Sequence, residues 1–315
     1  MSRRPKRGTE FCTASYVIAQ ADDQHALCTD ILPTELPEGG WGPKQADGTL
    51  CSQPDVPGKL SNPDLPLHCL YNKELQYMSC SLCGLSKPLV KSHIVPKSFY
   101  DLPSPGEEAT KILSNTPGQH PRKSLTGVYS EGILCADCDA GTLGRLDQHA
   151  TEHLLRGERR SIHRICFEYP NADPELITKF ALSVLWRASL SSSPVFRRVK
   201  LGPYKERIKE LLLSGHMSQA TTVALVEFDE TGLGLLDPHS TRFDGAMFWQ
   251  LYASRFIFYV KMSGVTMPTF MQEFTLAKGR PVRSLVRKWR TSKEFGLARN
   301  IARANPKAFR PPRPR

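Results

Sequence analysis

Residues 78–97 read MSCSLCGLSKPLVKSHIVPK, and two features of that stretch set the organisation of the chain. Cys80 and Cys83 form a Cys-x-x-Cys pair, and His93 stands alone inside Ser-His-Ile-Val-Pro. A second pair, Cys135 and Cys138, follows in GILCADCDAG. The chain holds nine cysteines in 315 residues; Cys12, Cys28, Cys51, Cys69 and Cys166 are scattered singly. An odd count without a secretion signal argues against a disulfide framework, so metal ligation is the better reading of the pairs. Four thiolates make a closed tetrahedral site for a structural Zn²⁺, with no position left for water. His93 is then not needed as a zinc ligand, and stands either as a base or as a hydrogen-bonded structural residue.

Working outward, residues 1–77 are rich in Pro, Asp, Gly and Ser and show no apolar period, so they read as a disordered extension. The opening MSRRPKRGTEFCTASYVIAQ has no apolar run long enough for a signal-peptide core. The most apolar later stretch, MFWQLYASRFIFYVKM, is interrupted by Gln250, Ser254 and Arg255, which excludes a spanning helix there. The expectation is a soluble cytoplasmic protein with no membrane contact. Residues 78–160 carry both cysteine pairs and a helix in which Leu143, Leu146, His149, Ala150, His153 and Leu154 share one face. Residues 161–279 read as a mixed α+β unit. Asp173 is an N-cap with Pro174 at the first helical position of ADPELITKFALSVLWRASL, and YKERIKELLLSG is a second helix. TTVALVEF and FWQLYASRFIFYVKMSG favour strands. In 280–315, VRSLVRKWRTSKEFGLARNIARA is expected to be a basic helix, followed by a disordered Pro/Arg tail.

The formal charge of +11 is local. Residues 279–315 hold twelve Lys and Arg against the single acid Glu294, and the rest of the chain is close to neutral. Such a stretch can hold phosphates by counterion release, but solvated extensions have the same composition. A second motif, His149-x-x-Glu152-His153, matches the signature of inverted zinc metallopeptidases. Its competing reading is a partly exposed helix face.

The order CSLCG, SHIVP, GILCADCD resembles the HNH endonucleases whose ββα-metal core is buttressed by a four-cysteine zinc site. The resemblance covers most of 78–260, including the LSVLWRASL…VKLGPY block, and is closest to a variant subset with Ser-His-Ile-x-Pro. It implies a metal-dependent endonuclease acting on DNA. His93 falls on the general base, and Asp139 on the last motif position, a ligand of a catalytic Mg²⁺ or Mn²⁺. Cys80, Cys83, Cys135 and Cys138 fall on the structural zinc ligands. Two positions depart from the family: Ser92 replaces a carboxylate ligand, and Ser130 lies near the middle Asn. Asp147 and His149 are candidates to supply the missing contact. The competing expectation is a catalytically inactive zinc-ribbon module that binds nucleic acid or protein.

Overall fold

In the computed structural model, residues 79–100, 110–113, 120–124, 126–214, 221–230 and 235–306 are described. The expected extension 1–77 and the whole Pro/Arg tail lie outside them. The chain is an α+β protein. Its first strand, β1 (Leu89–His93), is followed by β2 (Thr110–Leu113), β3 (Arg122–Ser124) and β4 (Tyr129–Cys135). A helical run comes next: a π turn at Asp137–Leu143, α1 (Gly144–Ala150), and a second π turn at Thr151–Leu155. Strands β5 (Arg160–His163) and β6 (Cys166–Tyr169) lead into α2 (Pro174–Leu190). Its start is the expected one: the Asp173 carboxylate accepts from the amides of Glu175 and Leu176, and Pro174 opens the helix. Helix α3 (Tyr204–Ser214) precedes β7 (Thr221–Phe228), β8 (Leu235–Leu236), β9 (His239–Phe243), β10 (Ala246–Ala253) and β11 (Phe256–Met262). The chain continues with α4 (Thr269–Gln272), β12 (Val282–Arg287) and α5 (Lys293–Ala304).

Seven strands form one sheet in the order β5-β6-β12-β7-β11-β10-β9, antiparallel except for the β12–β7 pair. Alternate residues of β7 face opposite layers. Val223 and Leu225 belong to the buried cluster that also holds Phe180 and Val184 of α2, Ile208 of α3, and Leu82, Ile94 and Leu134 from the cysteine-bearing segment. Ala224 and Val226 face Met271 of α4 and Phe295 and Ile301 of α5. Covering both faces explains why every residue of β11 is buried instead of alternating with solvent. Phe99, six residues after His93, stacks on Phe180 of α2 with ring centroids 5.1 Å apart. One core therefore runs from the 78–160 segment into the 161–279 segment.

A buried carboxylate ties the sheet together. Glu227 of β7 accepts from Tyr169 of β6, Ser284 of β12, and the guanidinium groups of Arg159 and Arg255. Burial, reinforced by the Glu227 charge, raises the Tyr169 hydroxyl to about 12, so the phenol stays a donor.

The expected helix from residue 282 is corrected. Residues 282–287 are β12, inserted between β6 and β7, and the helix starts only at Lys293. Val282 and Leu285 are buried there, and ladder bonds on both sides override helix propensity. Much of the basic charge is also internally paired: Arg280 with Glu273, Arg283 with Glu168, Arg287 with Glu294, and Arg290 with Glu230. No helix among the described residues is long and apolar enough to cross a membrane.

Candidate metal centre and histidine site

The two cysteine pairs meet. Cys80 and Cys83 flank a tight turn closed by Gly84 at φ +75°, whose amide donates to the Cys80 carbonyl at 2.8 Å. Cys135 ends β4 and Cys138 lies in the first helical turn after it. All four Sγ atoms lie within 4.8 Å of one another, and Cys83 Sγ is 3.9 Å from Cys135 Sγ. Sulfurs at a Zn–S distance of about 2.3 Å in a tetrahedron stand about 3.8 Å apart, so the set fits zinc. Burial alone would raise the Cys80 thiol, but amides of Cys135, Cys83 and Leu82 outweigh it and bring the thiol down to about 7. Cys138 is pushed far up, by burial first and then by hydrogen bonding to the other three sulfurs. Four sulfurs this close require a cation to ionise together.

A bulge locks this turn to the strands. Glu131, Gly132 and Ile133 of β4 stand opposite Lys91 alone, and Gly132 takes the left-handed conformation the bulge needs. The Ile133 carbonyl freed by it accepts from the Ser81 amide at 2.9 Å. Lys87 bridges to Asp137 at 2.7 Å across the two cysteine segments.

His93 ends β1 opposite Tyr129 of β4. Its Nε2 lies 2.8 Å from the Thr126 carbonyl. A carbonyl only accepts, so Nε2 carries the proton and Nδ1 of the neutral ring keeps its lone pair. Nδ1 has no hydrogen-bond partner among the described residues. The Thr126 carbonyl is itself held in place by the next two residues. Gly127 packs on the Tyr100 ring, and the Val128 amide donates to the Tyr100 hydroxyl at 2.9 Å.

Behind the histidine stands Arg187 of α2, with a side chain only 1% exposed. Its Nη1 donates to the His93 carbonyl at 3.0 Å and to Asp147 Oδ2 at 2.9 Å, and its Nη2 donates to Asp147 Oδ1 at 2.7 Å. Burial raises the Asp147 carboxyl and Arg187 works against that rise; Asp139 and His93 are close enough for their charges to be felt there too. Asp139 lies in the π turn, half-buried, and its carboxylate makes no hydrogen bond among the described residues.

The serines fall on the packed face. Ser92 is fully buried, its hydroxyl unpartnered, directly across from Ser130, which is bonded to Ser191 at the end of α2 at 2.9 Å. Small side chains there let α2 approach the strands, and Ser92 points away from the side His93 serves. His149 is also engaged: its Nε2 accepts the Asp173 amide at 3.0 Å. Glu152 accepts from Gln148 at 2.8 Å. Among the described residues the four cysteines are the one group of three or more His, Cys, Asp or Glu within reach of a single ion. No third His, Cys, Asp or Glu ligand among the described residues therefore joins His149 and His153. Asp139 and His93 both lie near enough to Asp147 for their charges to be felt there, and Asp139 is a single carboxylate with no hydrogen-bond partner among the described residues.

The sequence reading missed Tyr100, Thr126, Gly127 and Arg187. Arg187 had a signal, a cation inside the apolar run SVLWRASL, which points to a buried ion pair. Thr126 acts through its carbonyl and leaves none. Comparison with protein-family models, curated proteins and solved structures finds no match for the chain.

Proposed function

We propose that the chain is a metal-dependent endonuclease of the HNH type, with β1, β4 and the 137–155 helical run as its ββα-metal core, and DNA as its substrate. The observation that supports this best is the hydrogen bond between His93 Nε2 and the Thr126 carbonyl, at the end of a strand pair anchored by four cysteines. In this reading Nδ1 takes a proton from a water aligned with the scissile phosphorus. The water oxygen attacks, the P–O bond to the leaving sugar oxygen breaks, and that oxygen takes a proton from a solvent water to leave as an alcohol, while the His93 imidazolium returns its proton to the resulting hydroxide in solvent. The imidazolium formed at His93 is stabilised because Nε2–H already donates to the Thr126 carbonyl. Asp139 would hold a Mg²⁺ or Mn²⁺, which supplies positive charge to the phosphate when bound. Cys80, Cys83, Cys135 and Cys138 would hold Zn²⁺ as a structural ion, a ligand set that fits the reducing cytoplasm.

The buried, carboxylate-free Ser92 favours a second reading, a zinc-ribbon binding module without activity. Metal analysis combined with plasmid nicking in Mg²⁺ or Mn²⁺ separates the two. The expected result is one zinc per chain and a loss of roughly 10²–10⁴-fold in nicking for His93→Ala. Equal nicking by the variant, or no cleavage of DNA or RNA by the zinc-loaded protein, overturns the nuclease reading.

A further inference from the structure

The guanidinium of Arg187 has all five of its N–H donors placed. Besides the three bonds to His93 and Asp147, Nε donates to the Ser183 carbonyl at 3.4 Å and Nη2 to Ser183 Oγ at 3.3 Å. One buried side chain from α2 thereby joins three elements: its own helix, the end of β1, and α1. Its pairing with Asp147 is bidentate, a planar arrangement that a lysine ammonium cannot reproduce.

We propose that Arg187 is the positioning residue of the His93 site, fixing the main chain at His93 relative to α1. The histidine is clamped twice. Thr126 holds the ring through Nε2, and Arg187 holds the peptide carbonyl of the same residue. Neither clamp comes from the zinc ligands. The cysteine site anchors the start of β1 and the end of β4, whereas His93 lies at the far end of β1, where α2 takes over. The site is thus built across the 78–160 and 161–279 segments, and a zinc-loaded core without α2 keeps the Thr126 contact but loses the clamp on the His93 carbonyl. For rate this rests on the nuclease reading; for geometry it does not.

The test uses the full zinc-loaded chain with Arg187→Lys, which keeps the charge, and with the neutral double variant Arg187→Gln/Asp147→Asn, which removes both buried charges together. Two readouts are followed. Long-range ¹H–¹⁵N spectra report the tautomer of His93, and nicking kinetics report kcat and KM separately. Wild type is expected to show the Nε2–H tautomer alone. Arg187→Lys is expected to keep its zinc and give a mixed or exchange-broadened His93 signal. Its kcat should fall about 100-fold, the size expected for a misplacement of about 1 Å, with KM changed less than about twofold. The double variant is expected to behave in the same direction, and stands in if Arg187→Lys fails to fold. A wild-type tautomer spectrum together with wild-type kcat in a folded variant overturns the proposal. If wild type cuts nothing, the nuclease reading fails, and the His93 spectrum alone then decides the role of Arg187.

Discussion

Gly127 sits at φ +84°, and a Cβ added there would lie 2.4 Å from Cε2 of the Tyr100 ring. Both the backbone and the close approach therefore require glycine. Gly132, at φ +76°, has the same backbone demand but nothing within 4 Å of an added Cβ. The pair separates strain from collision. Gly132→Ala should cost about 1–2 kcal/mol for the left-handed conformation. Gly127→Ala should cost about 2–4 kcal/mol, because overpacking against a buried ring is added. Urea unfolding of the two variants measures the difference; equal losses would mean that Tyr100 gives way and does not hold the loop. The consequence reaches His93, since the carbonyl that fixes its ring belongs to the residue before Gly127. A displaced Thr126 should cost Gly127→Ala its Nε2–H tautomer, while Gly132→Ala keeps it.

At the level of elements, the junction of α1 with α2 carries a titratable contact. His149 Nε2 accepts the amide of Asp173, the residue that caps α2, so Nδ1 carries the proton and the ring is neutral. Burial first, then the neighbouring His153, holds His149 below the ordinary histidine value, with Asp173 and Glu152 pulling the other way. The unfolded chain therefore binds this proton at a higher pH than the folded one, and stability is fully present above about pH 6.5 and is lost as pH falls through and below that value. His149→Gln keeps an acceptor for the Asp173 amide without a titrating group, so the slope of stability between pH 5 and 7 should flatten. A remainder should persist from His239, which burial also lowers. Chemical denaturation across that range is the measurement, and an unchanged slope in the variant would place the acid sensitivity elsewhere. This junction was half legible in the sequence. Asp173-Pro174 announced the start of α2, because a cap is a local chemical event. That the ring of His149 would reach it was not, since His-x-x-Glu-His describes one helix face and says nothing of the element packed on it. β12 failed for a different reason. Val282, Leu285 and Val286 satisfy a helical spacing as well as Val282, Ser284 and Val286 satisfy a strand, and the slot between β6 and β7 chose between them.

For the whole molecule, the question is whether the cysteine centre stabilises a local turn or the entire chain. Cys80, Leu82, Leu134, Cys135 and Cys138 belong to the same buried cluster as Phe180 and Val184 of α2 and Val223, Leu225 and Phe258 of the large sheet. The paired cysteines were readable from spacing, because ligation chemistry fixes it; the continuity of the core was not, because it depends on contacts far apart in the chain. Arg187 reinforces it, tying α2 to β1 and α1 by ion pair and hydrogen bonds. If Zn²⁺ binds only the folded state, its binding energy is folding energy for everything that shares this core. Stripping it with a strong chelator should therefore lower the unfolding temperature of the full chain by about 10 °C or more, in one transition. Cys138→Ser, which removes one ligand at the head of the helical run, should reproduce the shift without a chelator. Calorimetry of the two preparations checks this. A biphasic trace with an upper transition unmoved by zinc removal would mean that the seven-stranded sheet and α2 fold without the cysteine centre, and that the two segments merely touch.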